Sequence, residues 1–233
     1  MKVGILADIH SNSMALEAVL TSGLTHKVEM YLICGDIIGY YLWPRRVMDL
    51  LADLDCRMIR GNHEEMIGTL DHSHCDLPSA QVFIKGQDKV QEQLTVEEIE
   101  RLKGLPHPLV LELEGRRILL CHGTPADASL YVYPTELEKK AACFPTEGFD
   151  LIAFGHTHYQ ESWSARGCQV VNPGAVGQPR DRIPGACWAL YDTEDGKLSL
   201  FRESYDHVRL AHTIREHVPE APYLSDVLVR ESR

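Results

Sequence analysis

The sequence predicts an α/β sandwich, in which two mixed β-sheets pack face to face with helices on their outer sides. Three observations predict it. Short apolar runs alternate with amphipathic helical segments in the first third of the chain, strand signals separated by turn residues fill the last third, and polar clusters follow several apolar runs. The chain contains no internal repeat, low-complexity tract or long linker, so we expect a single domain over residues 1–233.

The first third alternates between strands and helices. Buried strands are predicted at residues 3–7, 30–34 and 57–60, each a short run that ends at a polar residue or a glycine. A helix is predicted over residues 13–25, with N-cap candidates immediately before its apolar repeat, and Pro44 opens a second helix. Strand-helix-strand alternation with short links indicates parallel strands that helices cover.

The middle of the chain changes character. Residues 64–104 are polar with helical periodicity, and we predict that they form a mostly helical insert in the domain. The hairpin signal Glu114-Gly115-Arg116 then joins two predicted strands. The remaining predicted elements are strands at 109–113, 117–121, 150–154, 159–165, 168–172, 186–192 and 197–203, and helices at 134–143 and near 205–217.

The composition narrows the classes of function. Lysine and arginine total 23 and aspartate and glutamate total 34, so the formal net charge is −11. Such a chain lacks the basic face that holds a nucleic-acid backbone, and we expect no polymeric nucleic-acid partner. No apolar run is long enough to span a membrane, and Asp8 and His10 interrupt the N-terminal apolar stretch, unlike a signal peptide. We expect no membrane partner and a cytoplasmic location, consistent with an odd number of cysteines, 7, without C-x-x-C spacing.

Five polar clusters share one topological position, the end of a predicted buried strand. They are Asp8-x-His10, Gly35-Asp36-Ile37-Ile38-Gly39, Gly61-Asn62-His63-Glu64, His122-Gly123 and Gly155-His156-Thr157-His158. The carboxyl ends of strands in open α/β sheets are where ligands bind. Aspartate, asparagine and histidine together form metal sites of the oxygen-and-imidazole kind. The clusters therefore predict a metal site at one edge of the sheets.

Each cluster also has a structural explanation when it is taken alone. Asp8 could cap a helix, since such caps are common where a strand leads into a helix. Asn62 and Glu64 could form a cap pair, and His122 could be a satisfied core histidine. We prefer the metal site because all of these explanations would have to hold at once, each at the end of a strand.

The clusters resemble the ordered motif set of the calcineurin-like metallophosphoesterases, which is D-x-H, G-D-x-x-G, G-N-H-[DE], a lone H and G-H-x-H. The match runs in order from residue 8 to residue 158. The stretch from Asn172 to Arg180 resembles the small bacterial branch that contains phosphodiesterases and diadenosine-tetraphosphate phosphatases. The resemblance implies the metallophosphoesterase fold, a four-layer α/β/β/α sandwich, and a metal-dependent phosphoric ester hydrolase.

The resemblance also implies roles for individual residues. The ligands of one metal ion would be Asp8, His10, Asp36 and His158, and those of a second ion would be Asp36, Asn62, His122 and His156. Asp36 would bridge the two ions. His63 would be the catalytic residue, which stabilises charge on the phosphoryl oxygens or protonates the leaving oxygen. Asn12 and Arg180, which neighbour motif positions, are candidates for contact with the substrate phosphate.

The implied reaction is hydrolysis of a small phosphoester by a hydroxide that bridges two divalent or transition metal ions. A phosphodiester or dinucleoside polyphosphate is favoured as substrate, which makes a nucleotide one candidate partner; a phosphomonoesterase or protein phosphatase is the alternative. Manganese is the expected metal, with Fe, Ni, Co or Zn as alternatives.

Two further hypotheses come from other classes of protein. The first is a non-catalytic metal-binding scaffold of the same fold, against which the complete ligand set with His63 argues. The second is a nucleotide-binding module without hydrolysis, but the chain contains no glycine-rich phosphate motif of the kind that such modules use.

Some side chains outside the motifs have open roles. Tyr40, Tyr41 and Trp43 could stack against a nucleobase or pack in the core or at its rim. His72-x-His74-Cys75 has metal-like spacing, but its neighbours are typical of turns, and we interpret it as a solvated loop with a lid as the alternative. The histidines expected at the surface are His26, His107, His207, His212 and His217.

Overall fold

Two five-stranded mixed sheets form the centre of the protein in a computed structural model, which describes residues 1–69 and 78–230. The strands are β1 (Lys2–Leu6), β2 (Met30–Cys34), β3 (Cys56–Ile59), β4 (Leu109–Leu113), β5 (Arg116–Leu120), β6 (Leu151–Ala153), β7 (Gln160–Ala165), β8 (Cys168–Pro173), β9 (Ala186–Asp192) and β10 (Lys197–Glu203). All of the strands predicted from sequence are present, and no strand end differs from its prediction by more than one residue.

Eight helices are present in the described residues. They are α1 (Ser13–His26), α2 (Pro44–Ala52), α3 (Asn62–Glu65), α4 (Pro78–Gln93), α5 (Val96–Lys103), α6 (Leu137–Cys143), α7 (His207–His217) and α8 (Pro222–Val229). None of these eight combines the length and the apolar character that a membrane-crossing helix needs.

The strand order brings the predicted motif positions to one edge. The first sheet has the order β10-β9-β1-β2-β3, with β1, β2 and β3 parallel. The second has the order β4-β5-β6-β8-β7, with β5, β6 and β8 parallel. Antiparallel strands complete both sheets, so the predicted pair of mixed sheets is confirmed.

The core is divided by the sheets, because alternate residues of a strand point to opposite faces. Val3 and Ile5 of β1 pack with Ile118 of β5 in a fully buried layer between the sheets. Leu6 points the other way and packs with Leu16 of α1. An outer cluster on the second sheet includes residues of β5, β6 and β8 beside α6. This arrangement is the predicted α/β/β/α sandwich.

The segment predicted as a mostly helical insert contains α4 and α5 in its described part. It is fastened to α2 by Arg45, which forms an ion pair with Glu98 of α5 and donates from Nε to the carbonyl oxygen of Gln93 at 3.3 Å. The His72-x-His74-Cys75 sequence, with its loop and lid interpretations, lies outside the described residues. That the whole chain is one domain carrying this insert stays a prediction.

The C-terminal end of the described chain differs from the prediction by one helix. The helix expected near 205–217 is α7, but α8 was not predicted. Its apolar residues, among them Leu224 and Leu228, are buried against Leu210 and Ile214 of α7. Pro222 at the start of α8 is a typical first helical residue and was the available sequence signal.

Candidate metal centre

The structure brings the five motifs together at the carboxyl ends of β1, β2, β3, β5 and β6. All of the predicted metal ligands are buried except Asn62, which is half-buried. The ligand atoms of the first predicted set, Asp8, His10, Asp36 and His158, all lie within 4.8 Å of one another. The same limit holds for Asp36, His122 and His156, so the two sets share one carboxylate.

Asn62, the remaining predicted ligand of the second ion, lies beside the second set. Its Oδ1 lies 3.1 Å from Nε2 of His122, and that same nitrogen lies 3.2 Å from Oδ2 of Asp36. Asn62 is the first residue of α3 and is not its cap, so the alternative of a cap pair with Glu64 does not describe its side chain. The alternative of Asp8 as a helix cap is also wrong, since Asn12 caps α1.

The backbone at these positions is strained. Asp8, His10, Asp36, His156 and His158 have φ angles of 55°, 50°, 52°, 69° and 63°, in the left-handed region. A residue with a Cβ is destabilised by on the order of 1–2 kcal/mol in the left-handed region, and residues in this conformation cluster at functional sites. The backbone N–H of His156, for example, is held by both carboxylate oxygens of Asp8, at 3.2 and 3.1 Å. The surrounding hydrogen bonds therefore hold a conformation that these residue types do not favour.

Two motif glycines are required by close approach to the site. A Cβ on Gly61 would lie 2.2 Å from Oδ1 of Asp36. A Cβ on Gly39 would lie 2.2 Å from Nδ1 of His63, and Gly39 also has a φ of 105°. A side chain at either position would displace a residue of the centre.

Glu64 is a site residue whose main role the sequence did not reveal. Its buried carboxylate accepts four backbone N–H groups, from Asp36 at 2.9 Å, Ile37 at 2.8 Å, Ile38 at 3.1 Å and Gly61 at 2.7 Å. It therefore holds the loop that presents Asp36 to the site. The acidic position of the G-N-H-[DE] motif was the available signal, which we interpreted only as part of a local cap.

Backbone carbonyls orient three of the histidines. Nδ1 of His122 lies 2.7 Å from the carbonyl oxygen of Cys34, and Nδ1 of His158 lies 2.6 Å from that of Gln178. Nε2 of His156 lies 3.0 Å from the carbonyl oxygen of Ser129. A ring that donates one N–H to a carbonyl keeps the lone pair of its other nitrogen free, which is the usual support of a metal-binding histidine.

The charges of the cluster fit a cationic ligand. Burial raises the pKa of Asp8 to about 8, and the neighbouring Asp36 adds to the shift, although His122 opposes it. Burial alone would also raise the pKa of Asp36, but His122 and His63 hold it well below its usual range. Burial lowers the pKa of His10 and His158. Burial would lower the pKa of His122 as well, but Asp36 and Asp8 beside it raise that pKa to about 10. Two buried carboxylates among these imidazoles offer oxygen and nitrogen donors whose desolvation a divalent cation would offset.

His63 lies beside both ligand sets without belonging to either. Its ring packs against His10, Tyr40 and Phe83 at centroid distances of 4.4, 4.5 and 4.2 Å. Its Nε2 lies 3.8 Å from Oδ2 of Asp36, and its buried Nδ1 has no hydrogen-bond partner in residues 1–69 and 78–230. Burial lowers the pKa of His63 to about 4, with Asp36 opposing the shift.

The two expected phosphate contacts have different outcomes. The expectation for Asn12 is wrong, because its fully buried side chain is used within the fold: Oδ1 accepts from Ala15 N at 3.1 Å and Nδ2 donates to Gly177 O at 2.9 Å. Arg180 is partly buried and donates weakly to the hydroxyl of Tyr40, at 3.3 Å. Its buried Nε has no partner in the described part of the chain. Arg180 therefore stays a candidate.

The stacking alternative fails for two of the three aromatic residues considered. Tyr41 is fully buried and donates to the carbonyl oxygen of Leu224 at 3.3 Å, so it belongs to the core. Trp43 packs against the same cluster. Tyr40 packs at the rim, on His10 at 4.4 Å.

Of the five histidines expected at the surface, two are exposed and three are half-buried. His107 is half-buried, and its Nε2 accepts the backbone N–H of His122 at 3.0 Å. His26 packs on Phe201 at 4.5 Å, and His207 is half-buried. His212 and His217 are exposed.

Comparison with known proteins finds one matching family model and a similar archaeal protein. The family model of the calcineurin-like phosphoesterase superfamily domain matches residues 1–196. An uncharacterized protein of Methanocaldococcus jannaschii is 28% identical over 239 residues, which cover 94% of each chain.

Two crystal structures show the same fold. A metallophosphoesterase from Sphaerobacter thermophilus superposes with a TM-score of 0.79 at 28% identity, covering 100% of this chain and 99% of that one. A hypothetical protein from Pyrococcus horikoshii superposes with a TM-score of 0.83 at 24% identity, over 100% and 99% of the two chains. The predicted fold class is confirmed.

Proposed function

The chain belongs to the calcineurin-like phosphoesterase superfamily, and from that premise we propose that the strand-end cluster is a dinuclear metal centre that hydrolyses a small phosphoester. The family and its structural neighbours make the protein a metal-dependent phosphoester hydrolase. The observation that supports a dinuclear centre is that two sets of donor atoms, each within 4.8 Å, share Asp36.

In this proposal the first set holds one ion and the second set, with Asn62, holds the other. Asp36 can serve both because a carboxylate has two oxygens to give. Bound ions would lower the pKa of a water molecule and neutralise charge on the phosphoryl oxygens. Manganese is the ion that we propose, since the carboxylate and amide oxygens of the two sets suit it; the imidazoles would also accept Fe, Ni, Co or Zn.

His63 is the proposed catalytic residue. It is adjacent to Asp36 but outside the donor sets, and Tyr40 and Phe83 hold its ring in place. A ring so placed can hydrogen-bond a phosphoryl oxygen or deliver a proton to the leaving oxygen. Arg180 is the proposed phosphate contact, because its planar guanidinium suits a phosphate and its Nε has no hydrogen-bond partner among the described residues. The same guanidinium also donates to the hydroxyl of Tyr40.

The proposed substrate is a phosphodiester or a dinucleoside polyphosphate, with a phosphomonoester or phosphoprotein as the alternative. The test is a hydrolysis screen over these classes with protein stripped by a chelator and then supplied with Mn²⁺. We expect no activity after chelation, recovery with the metal, and the highest kcat/KM on a diester or dinucleoside polyphosphate. Activity that is indifferent to both chelator and metal would refute the proposal.

Metal content provides an independent measurement. We expect two equivalents of Mn²⁺ per chain in the wild type, measured by inductively coupled plasma mass spectrometry after gel filtration. His156→Ala should lower that content, whereas His217→Ala, at an exposed histidine outside the cluster, should not. Equal losses in the two variants would mean that the metal is bound elsewhere.

A further inference from the structure

Two tyrosines beside the centre remain exposed in the loop between β5 and α6. Tyr131 and Tyr133 expose 37% and 41% of their surface, whereas Val132 between them is buried. The ring of Tyr131 stacks on the ring of His156, with centroids 3.9 Å apart and planes at 29°. The ring of Tyr133 is parallel to that of Tyr131 within 6°, at 5.5 Å. A stack of rings therefore leads from a proposed metal ligand to solvent.

The loop that carries this stack is well anchored. Val132 packs into the outer cluster of the second sheet with Phe144. The backbone N–H of Tyr133 donates to a carboxylate oxygen of Glu136 at 2.7 Å, and Tyr159 meets the ring of Tyr133 edge-on at 6.0 Å and 82°. Anchored rings lose little conformational freedom when a ligand covers them.

The surroundings favour a small ligand that carries both a planar group and an anionic group. Arg180 supplies a positive charge near the cluster, and its guanidinium cannot be deprotonated. Aromatic rings bind nucleobases by stacking, and every base has a face that can be used.

We propose that Tyr131 and Tyr133 form the base-binding wall of the site, which selects phosphoesters that carry a nucleoside. The nucleobase packs on the exposed tyrosine surface while its phosphoryl group lies at the metal centre. This inference rests on the proposed function and deepens it by naming the substrate class and the residues that recognise it. Tyr131 and Tyr133 thus have the stacking role that the sequence suggested for Tyr41 and Trp43, both of which pack in or against the hydrophobic core.

The test compares substrates that differ only in the base. We would measure kcat/KM for adenosine 5′-monophosphate against ribose 5-phosphate, and for the methyl diester of adenosine 5′-monophosphate against the methyl diester of ribose 5-phosphate, in Mn²⁺. Stacking of one base corresponds to roughly a tenfold preference. We expect that preference in the wild type, its loss in Tyr133→Leu, and its retention in Tyr133→Phe, which keeps the ring. The loss should come mainly from KM.

The control is Leu137→Ala, at an exposed residue (72%) that begins α6 nearby but lies outside the stack. It should keep the preference. Equal kcat/KM for the two members of each pair in the wild type would overturn the inference, as would an unchanged preference in Tyr133→Leu.

A binding measurement separates this inference from the proposed function. If no pair is hydrolysed, the proposed function fails for these substrate classes, but calorimetric titration of the Mn²⁺-loaded protein still tests the wall. Adenosine 5′-monophosphate should then bind about tenfold more tightly than ribose 5-phosphate, and Tyr133→Leu should abolish the difference. Equal binding of the two ligands would refute the wall independently of any activity.

Discussion

Replacing Glu64 by glutamine tests whether the buried carboxylate organises the loop of Asp36. The substitution keeps the shape of the side chain and changes one acceptor oxygen into an NH₂ group. Oε2 accepts from Asp36 N and Gly61 N, at 2.9 and 2.7 Å, and Oε1 accepts from Ile37 N and Ile38 N, at 2.8 and 3.1 Å. Whichever oxygen is replaced, two buried N–H groups lose their acceptor and face another donor.

The expected magnitude follows from that count. Each buried donor left without a partner costs about 1–2 kcal/mol, so the free energy of unfolding should fall by roughly 2–4 kcal/mol. In a protein of this size about 1 kcal/mol corresponds to roughly 2–4 °C, so Tm should drop by about 5–15 °C. The loop also presents Asp36, and loss of such support typically weakens metal binding by about 10–100-fold.

The assay is urea unfolding of the metal-free protein, combined with a Mn²⁺ titration of the folded protein. The matched control is Glu65→Gln, the next residue, whose carboxylate is exposed and pairs with Arg60 at 2.9 Å. An exposed pair contributes about 0–1 kcal/mol, so this variant should stay close to the wild type in both measurements. Wild-type stability and metal affinity in Glu64→Gln would show that the four hydrogen bonds do not hold the loop.

The remaining predictions concern the shared ligand, the catalytic histidine and an ion pair of the insert. Asp36→Ala should lose both equivalents of Mn²⁺ in a metal assay; full loading would eliminate the bridging role. His63→Ala should keep its metal but lose about 10²–10⁴ in kcat on an alkyl phosphoester, and near-wild-type turnover would refute the role as acid. Hydrogen bonds from Arg45 and from a backbone N–H lower the pKa of Glu98 from 4.5 to about 2. The ionised Glu98 therefore stabilises the folded protein above pH 4.5, and this contribution is lost as the pH falls toward 2. Both side chains are partly exposed, so Glu98→Gln should cost no more than about 1 kcal/mol in urea unfolding at pH 7, and a difference that persists at pH 2 would contradict this assignment.

Much of the fold could be predicted because its strands are short apolar runs with clear ends. Residues 30–34 and 109–113 were predicted with the boundaries that β2 and β4 have. The α8 helix was not, because its buried residues are covered by α7, and such partners are not visible from local periodicity.

The candidate site was predicted from the order and spacing of its sequence motifs. The errors concern side chains that could either contact a ligand or bond within the fold. Asn12 follows a motif and looked available to a phosphate, but it caps α1 and bonds to Gly177, which is far along the chain. Tyr41 follows the second motif and could have faced a ligand, yet it packs against the C-terminal helices. In both cases a partner distant in sequence decided where the side chain lies.

The sequence by itself determined which residues meet at the site, because parallel strands end at a common edge and each motif directly follows a strand. Only the tertiary structure decided how those residues are held. Carbonyl oxygens of Cys34, Gln178 and Ser129 orient the histidines, and left-handed backbone at positions such as Asp8 is maintained by bonds between distant loops. The tyrosine stack on His156 is likewise set by a loop that packs from elsewhere in the chain. Such features depend on distances between segments that only the folded chain brings into contact, so no local pattern encodes them.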